Sequence, residues 1–148
     1  MAPMQSLIVG AIISACICGS VAVMPAYAAD YASQISAFRN ANKLPAVTED
    51  GKLAAVALAQ AEAMSASGKV SHDVGGPFQV RVAKLRRSKA AENVAAGFLT
   101  FPETLKQWEN SPGHRANLLL VGARKVGVAS VANPKSPYRM FWAMVIAD

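Results

Sequence analysis

The chain has 148 residues, enough for one domain with its own core, and a formal charge of +6. Its two cysteines, Cys16 and Cys18, both precede Ala28, so the remainder holds neither a disulfide nor a thiolate metal ligand. No aromatic residues interleave with its densest basic stretch, as stacking on bases would require, which excludes a nucleic-acid partner.

Leu7 to Val23 is almost unbroken Leu, Ile, Val, Ala, Gly and Cys, and Ala26-Tyr27-Ala28 follows with the small residues of a signal-peptidase site. Residues 1–28 are therefore expected to be a secretory signal peptide, and the protein secreted or periplasmic. Two alternatives stay open. No Lys or Arg precedes the apolar run, so a retained membrane anchor is one. A lipoprotein is the other, since Ile13-Ser14-Ala15-Cys16 has the shape of a lipobox and would place a lipid on Cys16. Every Lys, Arg, Asp, Glu and His lies after residue 29, so the whole positive charge belongs to the exported part.

From there the elements follow in order. Ala32 to Asn42 reads as a short helix, with Ile35 and Phe38 on one face, ended by Leu44-Pro45. Thr48-Glu49-Asp50 offers caps for an alanine-rich helix over Lys52 to Ser67, with Leu53, Val56, Ala57 and Met64 as its stripe and Gly68 as its stop. Lys69 to Pro77 is a loop carrying His72. Phe78 to Leu85 reads as another short helix. Arg81, Lys84, Arg86, Arg87 and Lys89 form the densest basic stretch, readable as an anion-attracting surface or, more plainly, as a solvated helix end. Glu92 to Gly97 is too short and small-residued to assign. Thr100 and Glu103 make a capping box for a helix that buries Leu105 and Trp108. Ser111-Pro112 restarts a helix, with Ser111 as N-cap through its hydroxyl and His114 in the first turn. Lys125 to Val131 and Tyr138 to Ile146 are strands of a long-looped hairpin. The second is apolar on both faces and so needs covering on both. The implied class is α+β, a three-layer α-β-α sandwich around a small antiparallel sheet.

His72, Glu92 and His114 lie about twenty residues apart, in irregular stretches or at a helix start. Two imidazoles can hold a divalent ion, and a carboxylate beside them can ligate it or orient a ring. The plainer alternative is that each histidine is a hydrogen-bonded packing residue.

The ordered set Ser71-His72, Ala91-Glu92-Asn93-Val94-Ala95, Trp108, Ser111-Pro112-Gly113-His114-Arg115-Ala116-Asn117-Leu118 and Val126-Gly127-Val128 closely resembles the CAP superfamily. This superfamily of SCP domains groups cysteine-rich secretory proteins, antigen 5 and pathogenesis-related 1 proteins. The resemblance is to the short bacterial branch and covers residues 31–147. It implies the α-β-α sandwich and a cleft lined by two His and two acids. His72, Glu92 and His114 match three of the four, and Ser111 stands where the second acid would fall. That departure lowers the charge and metal affinity expected of the cleft. The expected function is a non-catalytic binding module, monomeric, whose His72 and His114 hold zinc weakly, with Glu92 and Ser111 beside them. Its partner would be a small lipid or an anionic envelope polymer. Two alternatives are a weak hydrolase, with a histidine as base, Glu92 as orienter and Ser111 or a metal-bound water as nucleophile, and a purely structural envelope domain.

Overall fold

A computed structural model describes residues 30–148; the expected signal peptide and Cys16 lie outside them. No helix among these residues is long and apolar enough to cross a membrane. Among the described residues, five helices and four strands follow in the order α1 (Tyr31–Ala41), β1 (Thr48–Glu49), α2 (Gly51–Ser67), α3 (Phe78–Ala83), β2 (Ala90–Ala96), α4 (Phe101–Asn110), α5 (Pro112–Leu118), β3 (Lys125–Asn133) and β4 (Arg139–Ala147).

The strands form one sheet in the order β1-β3-β4-β2. The β3–β4 hairpin and the β2–β4 pair are antiparallel; the two-residue β1 adds a parallel edge beside β3, so the sheet is mixed. Thr48 and Glu49, expected as caps, are that strand, and Asp50 alone does the capping. Its Oδ1 accepts the backbone N–H of Lys52 at 2.8 Å and of Leu53 at 3.0 Å. Gly68 ends α2 in the left-handed region, at φ 67°.

β4 sits centrally, and its alternation divides the core. Trp142, Met144 and Ile146 point to one face with Ile35 of α1, Phe101, Leu105 and Trp108 of α4 and Leu118 of α5. Phe141, Ala143, Val145 and Ala147 point to the other, with Leu53, Ala57, Ala61 and Met64 of α2 and Val82 of α3. The α-β-α layering follows from that two-faced strand. The expected stripe of α2 holds at Leu53, Ala57 and Met64, while Val56 is only partly buried and the polar Gln60 is fully buried.

A buried cation ties the first layer together. Arg39 of α1 is fully enclosed and donates to four carbonyls: Pro45 at 2.9 Å, Leu118 at 2.8 Å, Leu120 at 3.1 Å and Ala123 at 3.3 Å. Leu118 ends α5, where free carbonyls and the helix dipole favour a cation. Burial, and then the charge of Arg124, hold the Arg39 pKa below its ordinary value.

Candidate functional site

The segment from Glu92 to Gly97, unassigned from sequence, is largely strand β2, paired on one side only, with β4. This edge strand positions the site. Its register sets Glu92 opposite Val145, so Glu92 shares the α2–α3 face, and sets Asn93 opposite Met144 on the α4–α5 face. Two consecutive residues thus reach into opposite layers.

On the first face Glu92 is buried, with 2% of its side chain exposed. Its carboxylate is fully engaged. Oε1 accepts His72 Nδ1 at 2.8 Å and Arg81 Nη2 at 2.9 Å, and Oε2 accepts Arg81 Nη1 at 2.6 Å. The paired guanidinium occupies the carboxylate as an acceptor, so the Nδ1 of His72 donates to it and Nε2 lies on the side of the ring away from Glu92. The His72 side chain is 49% exposed. Arg81 also donates from Nη2 to His72 O at 2.9 Å and from Nε to Gly76 O at 2.9 Å, and its guanidinium lies over the Phe78 ring. Gln60 adds a bond to Ser71 O at 2.6 Å. The glycine-rich loop is held from within, on both sides of its histidine.

On the second face, Asn93 Nδ2 donates to His114 O at 3.0 Å. Asn117 Nδ2 donates to Asn93 Oδ1 at 2.9 Å and to Glu92 O at 3.0 Å. These bonds dock the short α5 onto the sheet edge. His114 is partly buried, and among the described residues its Nδ1 is enclosed without a hydrogen-bond partner. Burial first, and then the nearby His72, hold the His114 pKa below its ordinary value, so the ring stays neutral at physiological pH.

Ser111 stands between α4 and α5, but its hydroxyl makes no cap bond. Its backbone is extended, φ −97° and ψ 117°, and its carbonyl accepts Arg115 N at 2.8 Å as the first bond of the helix. The expected side-chain cap is absent, and the first turn starts on Pro112 at the first helical position. The basic stretch is also not one solvated face. Arg81 is spent on Glu92, and Arg87 pairs with Asp50 Oδ2 at 2.7 Å and with Asp148 O. Among the described residues no three His, Cys, Asp or Glu side chains gather as a metal cluster. A surface cavity of about 570 Å³ along α4, beside Phe98 and Gln107, is lined by neither histidine. Another, about 310 Å³ between α2 and the His72 loop, borders the site through Gly75 and Arg81.

Sequence reasoning missed Arg81, Asn93 and Asn117 as site builders. Arg81 was hidden in a run of positive charge. The two asparagines stood inside quoted motifs, but their roles depend on strand register.

The family model of the cysteine-rich secretory protein family, CAP, matches residues 32–146, and the chain belongs to that family. Solved structures agree in fold. An outer surface protein of Borrelia burgdorferi is 21% identical with a TM-score of 0.70, over 80% of this chain and 88% of that one. An extracellular SCP-domain protein of Bacillus anthracis is 27% identical with a TM-score of 0.66, over 79% of this chain and 40% of that one. A cysteine-rich secretory protein of Staphylococcus aureus is 18% identical with a TM-score of 0.62, over 79% and 36% respectively. No curated protein matches the chain significantly.

Proposed function

We propose that the chain is an exported CAP-domain binding module, secreted or periplasmic, whose His72–His114 cleft takes a divalent metal ion weakly and leaves positions open for a ligand. The observation that carries this is the Glu92–His72 bond at 2.8 Å, which aims an exposed imidazole nitrogen outward as second-sphere carboxylates do for ligating histidines. The enclosed, unpartnered Nδ1 of His114 supports it as a polar atom in want of a partner. Two imidazoles favour zinc or similar borderline ions, and fewer than four protein ligands make binding reversible. The names of the Borrelia and Bacillus structures, outer surface and extracellular, support export. An anionic envelope polymer or small lipid is the ligand class we assign to the open positions. The Glu92–His72 bond is also the contact a hydrolase's base and orienter would make, but among the described residues the Ser111 hydroxyl bonds neither histidine, so the binding reading is the one we prefer.

Calorimetric titration of the exported protein with zinc should show about one site, lost in both His72→Ala and His114→Ala. Affinity should fall in acid, because each imidazole must be neutral to coordinate, and the lowered pKa of His114 should keep that ring available to below the ordinary histidine value of about 6.5. Equal binding in wild type and both variants would make the histidines packing residues.

A further inference from the structure

Among the buried residues of α2 only Gln60 is polar; the others are Leu53, Ala57, Ala61 and Met64. Gln60 is fully enclosed, yet only half of its amide is bonded. Nε2 donates to Ser71 O at 2.6 Å, whereas Oε1 has no hydrogen-bond partner among the described residues. An enclosed oxygen left unmatched destabilises a core, so a methionine of the same length would serve α2 better. The amide is used instead on the loop that carries His72. It meets that loop a second time at Gly75, where a Cβ would stand 2.5 Å from Oε1 and 3.6 Å from the Ala63 Cβ. Ser71 and Gly75 lie on either side of His72 in the chain. Arg81 of α3 takes the carbonyls of His72 and Gly76, each at 2.9 Å. Within the loop Ser71 Oγ accepts Asp73 N at 3.2 Å, and Asp73 O accepts Gly76 N at 2.9 Å. Val74 adds only a partly buried apolar contact.

We propose that Gln60 is a positioning residue for His72: it fastens the loop to α2 before any ligand arrives, and the core gives up stability for that order. Glu92 holds the ring at Nδ1, at 2.8 Å, but not the backbone that carries it. A loop free to move would have to be ordered when the cleft is filled, and that entropy would be subtracted from the affinity. Gly75 belongs to the same arrangement, since a Cβ there would displace the Gln60 amide from between α2 and the loop. The consequence for binding rests on the metal reading above; the ordering of the loop does not.

The test compares the exported protein with two variants. Gln60→Met keeps the length of the side chain but cannot donate to Ser71 O, and Gly75→Ala adds a Cβ that displaces the amide while leaving α2 unaltered. Amide hydrogen exchange by NMR reads the loop, thermal unfolding reads the fold, and calorimetry with zinc reads the cleft. In Gln60→Met the unfolding midpoint should stay level or rise. Exchange at residues 71–76 should speed up by roughly tenfold or more, as a local opening that leaves β4 protected. Zinc should bind roughly tenfold more weakly, the low end of what outer partners of ligating histidines cost. Gly75→Ala should speed the same amides and weaken zinc likewise. A merely structural hydrogen bond predicts the opposite pattern: a lowered midpoint in Gln60→Met, with the loop changed no more than the rest. That result overturns the proposal. So does wild-type loop exchange in folded Gln60→Met or, if that variant does not fold, in Gly75→Ala. A loosened loop with undiminished zinc affinity overturns it as well. If wild type binds no zinc, the metal reading falls, and faster loop exchange in Gln60→Met still supports Gln60 as the residue that orders His72.

Discussion

The two faces of the sheet are built on opposite principles. The α1–α4–α5 face is filled with rings: Tyr31 lies 4.5 Å from Phe101 between centroids, and Phe101 lies 5.8 Å from Trp142 and 6.2 Å from Trp108. Both indole N–H groups find backbone carbonyls, Trp142 at Phe98 and Trp108 at Val94. The α2 face also buries Leu53, Met64 and Phe141, but small residues let its backbones meet. Gly127 of β3 lies against the backbone of Leu53 and Ala54, and α2 presents Ala57 and Ala61. Both faces bury apolar area, but only the α2 face adds a close backbone-to-backbone approach. Backbone resting on backbone leaves no side chain that could rotate to take up an added atom.

The largest expected effect tests the first principle. Trp108 is fully buried, as its place beside Leu105 on a capped helix led us to expect. Trp108→Ala should cost about 3–5 kcal/mol in urea or thermal unfolding. An unchanged midpoint would show that the rings do not carry that face.

The second tests close approach. A Cβ at Gly127 would run into the Ala54 nitrogen and the Leu53 carbonyl carbon, both backbone atoms that cannot rotate away. Gly127→Ala should therefore cost about 3 kcal/mol, at the upper end of overpacking penalties. A fully tolerated alanine would mean that α2 can slide, and the contrast between the faces would weaken.

This contrast marks how far the fold was legible. Periodicity exposed α1, α2, α4 and the hairpin, because each buries a regular stripe. The two-faced apolarity of β4 implied two covering layers without any residue contact being known. β2 escaped, because Glu92-Asn93 places two polar side chains in a strand whose small neighbours carry little pattern. The site was legible as His72, Glu92 and His114, but not as a structure. That Glu92 is closed off by Arg81, and that Asn93 and Asn117 fasten α5, depends on a one-residue register and on an arginine eleven positions upstream. Arg39 was invisible for a similar reason: its partners are carbonyls, which every residue has.

Charge also distinguishes the faces, and gives a third test. Asp50 caps α2 and pairs with Arg87 at 2.7 Å. Burial pushes its pKa up, but the N–H groups of Leu53 and Lys52, with Arg87, outweigh this and hold it below the usual value. A carboxylate depressed in the folded state contributes stability above its unfolded value, about 3.9, and loses it as pH falls through the folded one. Asp50→Ala should cost about 1 kcal/mol at pH 7, a typical cap loss. Asp50→Asn should cost less there, because the amide oxygen still caps. Both variants should show a shallower loss of stability between pH 5 and pH 2 than wild type. Parallel acid limbs would mean that Asp50 is not ionised differently in the folded and unfolded chain.

The smallest expected effect is at the other helix start. Ser111 occupies the N-cap position of α5 on the aromatic face, but its hydroxyl bonds nothing in the first turn. What holds that start is Pro112 at the first helical position, the bond from Arg115 N to Ser111 O, and the docking of Asn117 on β2. The ordinary cap penalty therefore does not apply, and Ser111→Ala should shift unfolding by less than about 0.5 kcal/mol. It should be smaller than the shift for Asp50→Ala measured on the same day in the same buffer. If Ser111→Ala costs as much, the hydroxyl does cap in solution, and the face of rings also depends on a side-chain hydrogen bond at its helix start. If it costs nothing, the serine is free of structural duty, and any effect of its removal on zinc or ligand binding belongs to the cleft alone.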